Sequence, residues 1–208
     1  EEGRGGGRGY VDCSTVSAEC AKKIEDAIVK AGGTYLEAPV SGSKKPAEDG
    51  ALIFLCAGDE ELYKRITGAL EVMGKKQVFL GKVGKGAEMK LVVNMVMSTM
   101  LSSLSEGLAL SEACGLKSED VLDVMMNGAV ANPMFALKGP LMSQGKYPTA
   151  FPLKHAQKDL RLALLTADRE GLALPVAAAS NEQYKRVKGM GRGDDDFCAV
   201  HAPFVKKG

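Results

Sequence analysis

The sequence lacks the clustered cysteine and histidine residues from which metal and redox sites are built. Its five cysteines are scattered, with no C-x-x-C pair among them. Its two histidines, His155 and His201, lack the spacing of metal ligands. We therefore predict no metal site, and unclustered cysteines of odd number fit a reducing compartment.

The sequence also lacks an excess of either charge. A net charge of +1 gives no electrostatic basis for binding nucleic acid or a membrane surface, so we predict neither partner. The apolar run at 91–110 is long enough to raise the question of a membrane span, but it contains Asn94, Glu106 and four serines. We predict a mostly buried helix of a soluble protein there, with Val92, Met95 and Met100 inside.

The first part of the chain alternates between strand and helix patterns. The predicted segments are a strand at 10–13, a helix capped by Ser17 and ended by Gly32-Gly33, a strand at 34–40 broken at Pro39, a loop at 41–50, a strand at 51–57, a helix from Asp59 to Gly74 and a strand at 77–80. In the first helix, Cys20, Ile24, Ala27, Ile28 and Ala31 are predicted to share the packed face. This order predicts a largely parallel sheet with helices on its faces.

No strand is predicted after Gly84. The predicted segments are a helix at 86–114, a helix capped by Ser118, a looser stretch from Asn132-Pro133 to Tyr147-Pro148, a helix at 153–170 and a helix at 175–188. The predicted fold is α/β followed by all-α. Residues 1–83 would form an incomplete Rossmann-type dinucleotide-binding domain without its first β-α-β unit, and residues 84–208 a helical substrate and dimerisation domain. The glycine-rich opening, 1–9, is expected to be a loop exposed by truncation.

Three segments carry candidate chemistry. Lys90 and Asn94 lie four residues apart and share one face of an apolar helix. A desolvated lysine has a lowered pKa, which suits proton transfer near neutral pH. The alternative is a lysine whose ammonium reaches solvent at the helix end, with Asn94 bonded to backbone.

The other two segments flank predicted elements. Ser41-Gly42 follows a strand, where a small turn lets backbone N–H groups approach an anion, although a plain turn is the alternative. In the segment 151–160, His155 and Asp159 share one helix face, as do Lys154 and Lys158. A surface pair and a solvated basic face are the alternatives there.

Together these segments resemble the β-hydroxyacid dehydrogenase family. The matching motifs are Pro39-Val40-Ser41-Gly42, then G-x-G-x-x-x-K-x-x-x-N as Gly84, Gly86, Lys90 and Asn94, then Lys158-Asp159. Residues 41–50 and 151–155 are most similar to the plant glyoxylate/succinic semialdehyde reductases of that family. The family's N-terminal strand and glycine loop, which hold the cofactor pyrophosphate, find no counterpart, so we expect an N-terminally truncated chain that binds NADPH weakly.

The resemblance implies NADPH-dependent reduction of glyoxylate to glycolate and of succinic semialdehyde to 4-hydroxybutyrate. Lys90 would act as general acid and Asn94 would orient the carbonyl. The implied substrate-binding residues are Ser41, Gly42, Phe151 and Asp159, and the implied cofactor contacts are Thr15 and Lys158. Lys90, Asn94, Ser41 and Asp159 would then converge on one cleft.

Two related enzymes and one non-enzyme compete with this interpretation. A 3-hydroxyisobutyrate dehydrogenase usually carries a second Asn where Met95 stands, and a 6-phosphogluconate dehydrogenase has His and Glu where Val93 and Met97 stand. A non-catalytic binding module of the same fold lacks the lysine that is present here as Lys90. The resemblance also implies a small aldehyde or 2-oxo acid substrate, a homo-oligomer when intact, and a cytoplasmic location, with an organellar form left open.

Overall fold

The computed structural model describes residues 7–205. Most of the glycine-rich opening, for which a loop was predicted, lies outside the described residues. The chain divides into two compact units, one ending at Val93 and the other beginning at Asn94.

The first unit contains the sheet. Its strands are β1 (Gly9–Asp12), β2 (Thr34–Glu37), β3 (Val40–Ser41), β4 (Leu52–Gly58) and β5 (Gly74–Phe79), and its helices are α1 (Ala18–Lys30), α2 (Lys44–Glu48) and α3 (Glu60–Met73). Two helix starts are confirmed, because the side chains of Ser17 and Asp59 accept the backbone N–H groups of Cys20 and Leu62 at 3.2 and 2.6 Å. The short helix α2 replaces part of the loop predicted at 41–50.

The prediction of a largely parallel sheet is wrong. The strand order is β1-β2-β4-β3, with β5 also beside β4. The pairs β1–β2 and β4–β5 are parallel, whereas β4 runs antiparallel to both β2 and β3. The connection from β3 to β4 is too short for the crossover that parallel pairing needs, so the chain turns back beside itself.

Strands β2 and β3 act as one strand with an interruption. Glu37 pairs with Ala57 and Ser41 pairs with Ile53, which is the same register. Between them the carbonyl of Pro39 accepts the N–H of Leu55 at 2.9 Å. Proline has no N–H to give to a ladder, so the strand breaks there while the register continues.

Each face of the sheet has its own apolar cluster. On one face α3 contributes Leu62 and Leu70, and on the other α1 contributes Ala21. The packed face of α1 was predicted only in part: Ile24 and Ile28 pack as expected. The other three positions are exposed, namely Cys20, Ala27 and Ala31. The packed stripe contains Ala18 and Ala21 instead, so the face is rotated from the predicted one.

The second unit is helical. Helix α4 (Lys85–Ala113) starts in the first unit and continues into the second, followed by α5 (Ser118–Asn127), α6 (Pro133–Ser143), α7 (Leu153–Arg169), α8 (Pro175–Val187) and a 3₁₀ segment, Phe197–Phe204. Its core contains Leu101, Leu104 and Leu108 of α4 with Leu153 and Leu160 of α7. Among the described residues after β5 no strand forms, and the predicted order, α/β followed by all-α, is confirmed.

Two predictions for the second unit are wrong. Ser118 is the first helical residue of α5 and not its cap, which is Lys117. The stretch after Asn132 is the helix α6: the Asn132 side chain accepts the N–H of Phe135 at 2.9 Å, and a proline follows it. Pro140 was weighed as a helix breaker, but it lies within α6.

Helix α4 is less buried than predicted. Met95 and Met100 are partly buried against the core, but Val92 is 54% exposed, and Met89, Val93 and Val96 are exposed as well. Within the described chain α4 alone has the length and mean hydropathy of a membrane span, a weak indication that soluble core helices also give. The fully buried Ser98 and Ser105 favour a core helix.

Candidate functional site

The glycines before Lys90 form a carboxylate-bound helix start. The Oε1 atom of Glu37, at the end of β2, accepts the backbone N–H groups of Gly84 at 2.7 Å and of Gly86 at 2.8 Å. Glu37 is buried, and desolvation raises the pKa of its carboxyl, opposed by these two N–H groups. The sequence analysis missed Glu37, although an acid inside an apolar strand pattern could have indicated it.

Both glycines are required by geometry. A Cβ atom on Gly86 would stand 2.5 Å from the carbonyl oxygen of Leu55 in β4, closer than any side chain allows. Gly84 has a φ of +101°, which favours glycine. The G-x-G part of the motif therefore lets α4 begin close against the sheet.

Lys90 lies one turn beyond Gly86 on α4. Its side chain is buried, with 7% of its surface exposed. The alternative of a lysine extending into solvent is therefore disfavoured. A lysine withdrawn from water this far is usually paired or used.

Ser41 and Gly42 form the turn that follows β3. Ser41 is half-buried, and Gly42 has a φ of +133°. A Cβ atom on Gly42 would also stand 2.8 Å from a methyl group of Leu52. The conformation and the close packing both require glycine, so a backbone N–H can be presented there without a side chain beside it.

Thr15 lies in the connection between β1 and α1. Asp12, the last residue of β1, accepts the N–H of Ser14 at 2.9 Å and the hydroxyl of Tyr35 at 3.3 Å. Since β1 and β2 are parallel, their carboxyl ends lie at one edge of the sheet, where open α/β sheets bind ligands.

In the second unit the structure brings Asn94 and Asp159 together. The Asn94 amide donates to Asp159 Oδ2 at 2.6 Å, and both side chains are almost fully buried. The ammonium of Lys158 lies 3.0 Å from Asp159 Oδ1. The pairing of Asp159 with His155 considered from spacing is not what holds Asp159, because His155 is exposed and Asp159 turns to Asn94.

Phe151 lies in a loop held by a second buried carboxylate. Asp196 Oδ2 accepts the N–H groups of Ala150 at 3.0 Å and of Phe151 at 3.2 Å, while Lys138 lies 2.8 Å from Oδ1. The Phe151 ring also packs edge-on against Phe197, with centroids 5.3 Å apart. Asp196 and Lys138 were missed, because neither stands in a pattern that indicates burial.

The two buried carboxylates differ in ionisation. Burial by itself raises the pKa of Asp196, but the ammonium of Lys138 and the N–H of Ala150 outweigh it and hold the pKa below its usual value. The remaining buried titratable side chain of this region, His201, lies 3.2 Å from the hydroxyl of Ser105, and burial lowers its pKa. In the part of the chain described, no three potential ligands cluster as a metal site would require.

The predicted site residues thus fall into two groups. Ser41, Gly42, Thr15 and Lys90 belong to the first unit, and Asn94, Phe151, Lys158 and Asp159 belong to the second. The structure joins Asn94, Asp159 and Lys158 directly. The convergence of all of them on one cleft stays a prediction.

Two protein-family models match the chain. One describes the NAD-binding domain of 6-phosphogluconate dehydrogenase and matches residues 2–81. The other describes the NAD-binding part of NADP-dependent 3-hydroxyisobutyrate dehydrogenase and matches residues 84–204. The predicted cofactor class, NADP, is confirmed by these matches.

Among characterised relatives, two reductases of Arabidopsis thaliana are similar. Glyoxylate/succinic semialdehyde reductase 1 is 54% identical over 93% of this chain and 67% of its own length. The chloroplastic reductase 2 is 53% identical over 93% of this chain and 54% of its own length. The human cytokine-like nuclear factor N-PAC is 40% identical over 96% of this chain and 36% of its own length.

Solved structures share the fold. The 3-hydroxyisobutyrate dehydrogenase of Salmonella typhimurium superposes with a TM-score of 0.89 at 24% identity, over 96% of this chain and 70% of that one. The Mycobacterium tuberculosis 3-hydroxyisobutyrate dehydrogenase with L-serine gives a TM-score of 0.84 at 26% identity, over 95% of this chain and 70% of that one.

Proposed function

Because the chain belongs to the β-hydroxyacid dehydrogenase family, we propose that it carries the catalytic helix of an NADPH-dependent reductase of small aldehydes. The family resemblance read from the motifs is confirmed, and with it the oxidoreductase class. The chain spans about two thirds of one plant relative and about half of the other, so the reaction is proposed for the intact protein.

The proposed substrates are glyoxylate and succinic semialdehyde, which would be reduced to glycolate and 4-hydroxybutyrate. The names of the two plant relatives support this choice. Both substrates carry a carboxylate beside or beyond the aldehyde. The hydroxyl of Ser41 and the N–H of Gly42, presented without a side chain beside it, suit a carboxylate.

The observation that carries the proposal is the buried Lys90 on a helix that begins at the G-x-G motif. Bound NADPH supplies the hydride that reaches the carbonyl carbon. Lys90 donates its proton to the carbonyl oxygen as that oxygen gains charge, which gives the alcohol and leaves a neutral amine to be reprotonated from solvent.

The remaining residues of the second unit position the reactants. The Asp159 carboxylate holds the Asn94 amide at 2.6 Å, which fixes the orientation of the amide for a substrate oxygen. Lys158, beside Asp159, is partly exposed and would contact the cofactor. Phe151 would cover the substrate from the loop that Asp196 holds.

The residues present fit one end of NADPH. Thr15 offers a hydroxyl at the carboxyl edge of the parallel pair β1–β2, where dinucleotides bind. The connection from β1 to α1 contains no glycine, so it does not form the turn on which a pyrophosphate rests. Weak binding of NADPH by this chain therefore stays a prediction.

The non-catalytic alternative is supported by the similarity to N-PAC. Lys90, the residue that such a module was expected to lack, is present and buried. We also propose a homo-oligomer, a cytoplasmic location and no binding of nucleic acid or membrane, all of which follow from the resemblance and the balanced charge.

Replacing Lys90 tests the reaction. In the intact protein, Lys90→Ala is expected to lower kcat for NADPH-dependent glyoxylate reduction by roughly 10²- to 10⁴-fold, the usual range for a lost general acid. Lys90→Arg should not rescue it, because arginine stays protonated and its planar group differs in shape. The measurement is the initial rate of NADPH oxidation.

Lys85→Ala is the matched control on the same helix. Lys85 pairs with Glu88 at the surface, and its loss should leave kcat unchanged. Near-normal turnover of Lys90→Ala would mean that another group donates the proton. Absence of reduction by the unaltered intact protein would favour the non-catalytic module.

A further inference from the structure

We propose that Glu37 is a positioning residue whose two hydrogen bonds to the start of α4 set the place of Lys90. The inference rests on the proposed function, because the role of Lys90 is proposed there. Glu37 belongs to β2, and it touches neither substrate nor cofactor in this proposal.

The geometry is that of a helix cap supplied from a distant strand. The Gly84 carbonyl accepts the N–H of Glu88 at 2.9 Å, so Gly84 is the capping residue of α4 and Gly86 the second helical residue. Their N–H groups have no partner within the helix. A single oxygen of Glu37 binds both of them.

The helix start is held from two strands at once. Glu37 binds it from β2, and the carbonyl of Leu55 in β4 stands where a Cβ atom on Gly86 would be. A local serine or aspartate before the helix would satisfy the same N–H groups without burying a glutamate. The contact with the sheet therefore does more than terminate a helix: it fixes the start of α4 against β2 and β4.

That position reaches Lys90 directly. Residues 86 and 90 are four apart and lie one above the other on the same face of the helix. The backbone between them is regular α-helix. A displacement of the helix start would carry Lys90 with it, and misplacement of a catalytic group by about 1 Å can cost on the order of 100-fold in rate.

The test compares three variants of the intact protein. Glu37→Gln keeps an acceptor oxygen at the same reach, Glu37→Leu keeps the volume without an acceptor, and Glu37→Asp keeps the charge but is one methylene shorter. Two readouts are taken: hydrogen exchange of the Gly84 and Gly86 amides, which needs no activity, and kcat and KM for glyoxylate.

We expect Glu37→Gln to retain slow exchange and a kcat within about threefold of the unaltered protein. Glu37→Leu should lose protection at both glycines and lower kcat by roughly 10- to 100-fold, with KM within about threefold. Glu37→Asp should do the same to a smaller extent. If Glu37→Leu does not fold, the comparison of Glu37→Gln with Glu37→Asp carries the test.

Ser17→Ala is the matched control. It removes the cap of α1 in the same unit, so it lowers stability without touching α4, and it should leave kcat unchanged. A folded Glu37→Leu with normal kcat, or a Glu37→Gln as impaired as Glu37→Leu, overturns the inference. An inactive unaltered protein, or a fully active Lys90→Ala, overturns the proposed function instead, while the exchange measurement still decides whether Glu37 holds the helix start.

Discussion

The two units each use a buried carboxylate to hold a segment next to the predicted site, but they balance its charge differently. In the first unit Glu37 binds backbone N–H groups at the start of α4. In the second unit Asp196 binds the N–H groups of Ala150 and Phe151 and also the ammonium of Lys138. A full cation accompanies only the second of these carboxylates in these contacts.

The difference appears in the pKa values. Desolvation raises the pKa of Glu37, and its backbone donors do not compensate fully. Asp196 is buried too, yet Lys138 and its backbone donors bring its pKa below the usual value. Backbone donors can position a carboxylate, whereas a buried cation also makes its ionised form the favoured one.

The largest effect is expected from separating the ion pair. Lys138→Met leaves Asp196 buried without its cation and should lower the free energy of unfolding by about 3–5 kcal/mol, the range for one lost partner of a buried pair. Urea unfolding measures it. The exposed pair of Lys154 and Asp194 is the control: Asp194→Asn should cost less than about 1 kcal/mol.

A double variant sharpens this comparison. Lys138→Met combined with Asp196→Leu removes both charges, and buried pairs replaced by apolar residues often regain stability. Part of the loss should remain, because Ala150 and Phe151 also lose their acceptor. A double variant no more stable than Lys138→Met would show that the backbone contacts, and not the uncompensated charge, dominate.

The pH dependence of stability should run in opposite directions at the two carboxylates. The lowered pKa of Asp196 contributes stability that is present above its unfolded pKa of about 4 and is lost as the pH falls through the folded value. The raised pKa of Glu37 contributes stability that is present below its unfolded value of about 4.3 and is lost as the pH rises through the folded value.

Urea unfolding between about pH 3 and 7 separates these two contributions. Relative to the unaltered protein, Glu37→Gln should be least stable at the acid end and improve as the pH rises. Asp196→Asn should show its greatest loss near neutral pH and a smaller one at the acid end. Parallel stability curves for both variants would contradict the opposite pKa shifts.

A smaller effect is expected at a local helix cap in the first unit. Asp59→Ala removes the acceptor for the N–H of Leu62 and should cost about 1 kcal/mol. The control is Ser118→Ala in the second unit, because Ser118 was predicted as a cap but is not one. Thermal unfolding of both variants checks the ranking, and equal losses would contradict it.

The sequence predicted what local chemistry decides. Ser17 and Asp59 were recognised as caps because their acceptors lie three residues from the donors. The strand directions were not recognised, since pairing of β4 with β2 depends on contacts distant in the chain. Helix α6 was missed because Pro140 was weighed above the start signal at Asn132.

The site was predicted in a similar, partial way. Lys90 and Asn94 stand out by spacing, but the bond between Asn94 and Asp159 joins residues that are 65 apart and came only from the family resemblance. Glu37 and Asp196 could not be identified, because the burial of a single acid is decided by the packing of whole elements around it. Length and periodicity also predicted a buried α4, whereas its exposed face depends on which neighbours cover it.

The shared register of β2 and β3 bears on how this segment can vary in length. Glu37 and Ser41 are fixed opposite Ala57 and Ile53 by one ladder that runs past Pro39. An inserted or deleted residue at Pro39 would send every later side chain of the strand to the opposite face. Homologous proteins should therefore exchange residues between these two positions freely while keeping their spacing, and an engineered loop is better placed after Gly42.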